Sequence, residues 1–230
     1  MTAYRDIAKL LERCAGAQRL SHVFDDFVEM AALSFRNSFD RQGQDAREAR
    51  YLEIAERYDQ GQLERFTHAL ALVVLEMERE PSDVLGRLYM ELDLGNERLG
   101  QFYTPYDVAK LIAGMVCDEL AEKIARDGVA EAHEPACGAG AFLIAITQDL
   151  RGRGVDYQRR LLITAEDVAP QAVHMAYVHL TLLHAPAIAH RRDTLTQETF
   201  DSWPTLAFAL NGWRFRPRLE PTVVQKGPTP

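Results

Sequence analysis

What is missing from the chain narrows its class first. No apolar run approaches the roughly 20 residues that a helix needs to cross a bilayer. Met1-Thr2-Ala3-Tyr4-Arg5-Asp6 lacks the basic and then apolar pattern of a signal peptide, so a cytoplasmic protein without a membrane anchor is expected. Cysteine is scarce: Cys14, Cys117 and Cys137 are an odd set at unrelated spacings, which indicates neither a disulfide framework nor a zinc site. Positive charge is not in excess either. The formal net charge is -8, whereas a protein that grips duplex DNA unaided usually carries a basic face. There is no internal repeat and no long low-complexity run.

The 230 residues, 47% of them hydrophobic, are enough for a real core, as one domain or a domain with an appendage. Before about Gly95 the pattern is helical. From Ser21 to Phe39 apolar residues recur at helical spacing, with Ser21 placed to cap the start. Gln62 to Arg79 carries Leu63, Phe66, Leu70, Val73, Val74 and Met77 on one stripe, and a third helix opens at Ser82 after Pro81. These stripes read as packing faces of a helical domain over residues 1–95, with Glu29, Glu76, Glu78 and Glu80 as solvated charge.

Beyond it, helices alternate with short apolar runs. Asp107 to Lys123 reads as a helix with Val108, Leu111, Ile112, Met115, Val116 and Leu120 facing inward. Strands are expected at Glu131–Glu134, Leu161–Glu166, Ala187–His190 and Thr205–Leu210, with helices at Ala141–Leu150 and Pro170–Leu183. That order predicts a parallel sheet with covering helices over residues 96–212. The Pro- and Arg-rich residues 213–230 form a tail, in which Trp213-Arg214-Phe215-Arg216-Pro217-Arg218 fits either contact with nucleic acid or a solvated end. His174, His179 and His184 step by five residues, which turns each onto a different face and makes them partly exposed helix residues rather than metal ligands.

The segment that carries chemistry is Glu134-Pro135-Ala136-Cys137-Gly138-Ala139-Gly140-Ala141-Phe142, a strand end, a glycine turn and a helix start. Gly138 and Gly140 clear side chains from a ligand's approach to the backbone, and the amides that follow lie at a helix N-terminus suited to an anion. Gly100-Gln101-Phe102-Tyr103-Thr104-Pro105 lies upstream, Glu166-Asp167 and Asp193-Thr194-Leu195 downstream. In this order the four segments resemble the cofactor-binding half of the adenine-N6 DNA methyltransferases, notably the modification subunits of type I restriction systems.

That resemblance, from about Leu85 to Leu195, implies an α/β, Rossmann-like class I methyltransferase fold preceded by a helical N-terminal domain. It implies S-adenosyl-L-methionine as cofactor. Phe102 or Tyr103 would pack on it, while Thr104 and the amides of the loop, with Glu134, Pro135, Gly138, Gly140 and Phe142, would surround its methionine part. Asp167, with Glu166 as its rival, would hold the ribose, and Asp193 the adenine. The family's catalytic motif, Asn or Asp followed by Pro-Pro and an aromatic at the end of the next strand, is missing. Asn211-Gly212-Trp213 is the nearest candidate, with Asn211 facing the target amine; an ordinary Asn-Gly turn fits the same residues.

Two functions follow. One is DNA adenine-N6 methylation in restriction-modification; the other is a cofactor- or partner-binding module without chemistry, acting in regulation or anti-restriction. A sheet truncated after Leu210 exposes an edge, which another chain or a folded-back segment would cover. The expected partners are therefore DNA, directly or through another protein, and a second subunit in a homo- or hetero-oligomer.

Overall fold

The computed structural model describes residues 3–16, 18–92, 94, 104–215 and 222–223. The chain divides into two compact units, Met1–Tyr103 and Thr104–Pro230.

The first unit is helical: α1 (Ala3–Ala15), α2 (Leu20–Asn37), α3 (Gln44–Ala55), α4 (Gln60–Arg79) and α5 (Val84–Glu91). Its core is built from the apolar stripes, with Ile7, Leu11, Phe24, Ile54, Val73 and Leu88 fully enclosed. Aromatic side chains join the helices, Phe24 edge-on to Tyr89 at 5.4 Å and Phe66 between Tyr58 and Phe27 at 4.8 and 5.6 Å. Two expected helix starts are different. α2 begins at Leu20 with no side-chain cap, so Ser21 lies inside the helix. α5 begins after Asp83, whose carboxylate accepts the Gly86 amide at 2.9 Å, so neither Pro81 nor Ser82 opens it.

Two carboxylates read as solvated are held instead. Glu76 is buried against Arg79 at 2.5 Å, and Glu29 bonds Arg50 at 2.6 Å. Asp26, also buried, accepts from the Tyr58 hydroxyl at 2.8 Å and from Arg57 at 3.0 Å.

The second unit contains α6 (Tyr106–Asp127), β1 (Ala130–Glu134), α7 (Ala141–Gly152), α8 (Tyr157–Arg160), β2 (Leu161–Asp167), α9 (Pro170–Leu182), β3 (Ala187–Asp193), β4 (Glu198–Pro204), α10 (Leu206–Leu210), a 3-10 turn at Trp213–Phe215 and β5 (Thr222–Val223). The strand order is β4-β3-β2-β1-β5. β1, β2 and β3 are parallel, with Ala130 opposite Leu161 and Ile163 opposite Ala187. The crossovers from β1 to β2 and from β2 to β3 step the same way, and their helices α7 and α9 touch each other.

The sheet departs from expectation in three places. Thr205–Leu210 is not a strand: Thr205 caps helix α10, its hydroxyl accepting the Phe208 amide. A contiguous apolar run such as Leu206–Leu210 has no periodicity to separate strand from helix, and the cap decides it. The strand after β3 is instead β4, which turns back antiparallel and pairs Ala189 with Trp203, so the sheet is mixed. Finally, part of the expected tail returns to the sheet, where Thr222–Val223 pair in parallel with Ala132 and His133 of β1. α6 also turns a different face inward. Ala109, Ala113 and Cys117 are buried, while Leu111 and Met115 are 74% and 81% exposed, because small residues let α6 close on α7. Among the described residues no helix is long and apolar enough to cross a membrane.

Asp83 makes the helical unit sensitive to pH. Burial pushes its carboxyl up to about 7, and its one described partner is the Gly86 amide. A value raised on folding favours the fold fully below the ordinary carboxylate range and loses that contribution as pH rises through 7. Asp83→Asn keeps an acceptor for Gly86 and removes the charge. Urea titrations at pH 4 and pH 8 should show wild type losing on the order of 2–4 kcal/mol more than the variant. Equal losses in the two proteins would remove Asp83 as the cause.

Candidate functional site

The carboxyl ends of β1, β2 and β3 converge, and hydrogen bonds join them. After Glu134 the chain leaves β1 through the glycine turn, with Gly138 at φ +53° and Gly140 at φ +86° before α7. Left-handed backbone angles of this kind explain both glycines. The Cys137 amide donates to the Glu166 carbonyl at 2.8 Å, and the Gly138 amide donates to Asp167 Oδ2 at 2.9 Å. Asp167 Oδ1 accepts the Ala169 amide at 2.9 Å, so one carboxylate ties the turn to the start of α9. Thr194, just beyond β3, donates its hydroxyl to the Pro135 carbonyl at 2.7 Å.

Glu166 and Asp167 have different protein partners. Successive strand residues point to opposite faces. Glu166, 2% exposed, accepts from Arg192 at 2.8 Å and lies 3.4 Å from His133 Nε2. Asp167 is the residue whose carboxylate meets the glycine turn. Asp193 lies in an exposed turn, where the Leu195 and Thr196 amides donate to Oδ1 at 2.9 and 3.1 Å. Those amide bonds, Thr196 first, hold its carboxyl below the usual range.

Gly140 also faces α9. A Cβ at Gly140 would stand 3.5 Å from Ala176 of α9, an ordinary contact, so the left-handed angle is what requires glycine here. The N-cap of α7 is Gly140, which supplies no side-chain cap to the first amides of the helix. Glu134 and Phe142 are buried at the base of the turn. Thr104 leads into α6, while Gly100, Phe102 and Tyr103 lie outside the described residues.

Asn211 is not brought to this site. It ends α10, and its side-chain amide donates to the Gln158 carbonyl at 2.7 Å. Gln158 belongs to α8, which runs directly into the first residue of β2. Asn211 therefore sits at the amino ends of the strands, the length of β2, roughly 20 Å, from the glycine turn.

The histidine expectation also changes. His174 and His179 are buried, and His179 Nδ1 is 2.9 Å from the Ala139 carbonyl inside the turn. Periodicity missed this residue because α9 is apolar or buried on nearly every side. A cavity of about 360 Å³ lined by Phe27, Met30, Leu63 and Phe66 lies in the helical unit and contains none of these groups.

Parallel strands whose carboxyl ends present a glycine turn, a helix N-terminus and acidic side chains are the arrangement by which open α/β sheets take nucleotide-type ligands. The chain belongs to the N-6 DNA methylase family, whose model matches residues 82–210. It is 30% identical over 129 residues to a type I restriction enzyme methylase subunit, MjaIX, of Methanocaldococcus jannaschii. That match takes in 54% of this chain and 21% of the relative, so it spans about a fifth of the relative's length.

Two substitutions test the turn without any ligand. Asp167→Ala removes the acceptor of two amides and should lower stability by about 1–3 kcal/mol. Gly140→Ala should cost about 1–2 kcal/mol through its left-handed angle, since the space itself admits a methyl. Gly140→Val, whose branches reach Ala176, should cost more. Thermal unfolding of ligand-free protein measures all three, and an unchanged midpoint for Asp167→Ala would show that the carboxylate bridge carries no load.

Proposed function

We propose that the chain is the S-adenosyl-L-methionine-binding part of a DNA adenine-N6 methyltransferase-like protein of the restriction-modification type, with a Rossmann-like methyltransferase domain and a cytoplasmic location. The observation that carries this reading is the joining of the glycine turn, Asp167 and Asp193-Thr194 at three adjacent strand ends. The residues fit the cofactor. Asp167 uses two of its carboxylate's acceptor positions on amides and keeps others for ribose hydroxyls. Asp193 Oδ2 lies outside the amide bonds of its turn and serves as acceptor for the adenine amine. The uncapped N-terminus of α7 receives the methionine carboxylate. By family resemblance Phe102 or Tyr103 packs on the cofactor and Thr104 helps to hold its methionine part. The cofactor supplies a methyl group on a positively charged sulfur, open to displacement by an amine nitrogen.

A second reading, a cofactor-binding module that does not itself transfer the methyl, is favoured by one specific observation. The next strand parallel to β1 is β5, and the residues after it in sequence are Val224-Gln225-Lys226-Gly227-Pro228-Thr229-Pro230. In that stretch the sequence reads Lys226-Gly227-Pro228-Thr229-Pro230 and not the family's Asn or Asp with Pro-Pro and an aromatic, which is what supports this reading. On this reading DNA recognition and the acceptor groups lie outside residues 1–230.

Calorimetry with S-adenosyl-L-methionine should detect binding to wild type and about tenfold weaker binding to Asp193→Ala. No binding to wild type would end the cofactor reading. Methyl transfer to mixed-sequence DNA by the chain alone should be undetectable if the second reading holds, and sustained turnover would exclude it.

A further inference from the structure

We propose that His179 is a positioning residue of the cofactor turn, acting through the Ala139 carbonyl; this rests on the cofactor reading above. Ala139 is 1% exposed, so its carbonyl lies where water does not satisfy it. The donor is His179 Nδ1, at 2.9 Å. A carbonyl only accepts, so the proton is on Nδ1, and burial, which pushes the ring down to about 4, keeps it neutral at physiological pH.

The peptide unit between Ala139 and Gly140 is gripped at both ends. Its carbonyl takes the His179 proton, and its N–H donates to the Cys137 carbonyl at 2.8 Å. Because a peptide unit is planar, two opposed bonds fix its rotation. Ala139 flanks this unit on one side and Gly140, at φ +86°, on the other, so the glycine side adds no side chain to restrain the rotation. His179 therefore sets the direction in which the turn delivers the chain into α7, whose first amides follow at once. It touches the loop and not the ligand, so its effect on binding is indirect.

The test uses two near-isosteres in the full chain. Asn places an N–H about where Nδ1 stands, and Leu places a carbon there. Amide hydrogen exchange of the ligand-free protein over residues 137–143, together with the Kd for S-adenosyl-L-methionine, reads the effect. His179→Leu should raise loop exchange and weaken binding by about tenfold or more, while His179→Asn stays within about threefold of wild type in both. Leu180→Ala, a buried α9 substitution away from the turn, is the stability control and should leave the Kd unchanged.

Wild-type loop exchange in His179→Leu would overturn the proposal, as would an equal loss of binding in Leu180→Ala at matched loss of stability. If the Leu variant fails to fold, a folded Asn variant with wild-type loop protection supports the proposal and one with fast loop exchange overturns it. Should wild type bind no cofactor, the cofactor reading fails, and the exchange comparison alone still decides what His179 does to the turn.

Discussion

Buried peptide groups cannot be left unpaired, and that requirement organises the α/β unit around the turn between β1 and α7. The turn satisfies only part of itself, through the Gly140 amide and the Cys137 carbonyl, because its angles follow neither helix nor strand. Its groups are answered from three directions: the Glu166 carbonyl and Asp167 carboxylate at the end of β2, His179 from α9, and Thr194 beyond β3. Each of those partners is in reach only because β1, β2 and β3 lie side by side in parallel. Strand order and site geometry are thus one constraint seen at two scales.

The same accounting governs buried charge. Glu166 is tolerated in the sheet because Arg192 and His133 stand beside it, and Asp26 in the helical unit because Arg57 and Tyr58 do. Asp83 follows a different route. It has the Gly86 amide, and its raised carboxyl lowers the cost of burial by taking up a proton. A Cβ at Gly86 would run into the Asp83 carboxylate, so a larger residue there would displace the cap.

Alternation of carboxylates along β2 also separates two tasks that adjacent residues seem to share in the sequence. Glu166 joins β1 to β3 through side chains on one face; Asp167, one residue later, turns to the glycine loop. Arg192 extends the first of these links, since it bonds Gln197 in the turn that starts β4 as well as Glu166.

By itself the sequence determined the helical stripes, the alternation of helix and strand from β1 to β3, the glycine turn and the acidic strand ends, because each of these is written in local periodicity or in residue types with special backbone angles. Five features had no such signal. β4 follows a turn at Gln197, a residue with φ +64° where glycine or asparagine would have marked a hairpin. Leu206–Leu210 became helix through a cap that depends on Thr205 sitting beside Ala185 and Ala187. Asn211 went to the wrong end of the sheet once that run was helical. The inward face of α6 was chosen by its fit to α7, not by its largest apolar residues. His179 acquired its role from a carbonyl 40 positions away in the chain. Tertiary structure decided these because the partner in each case is brought close only by the fold, and no local pattern records a contact at that separation.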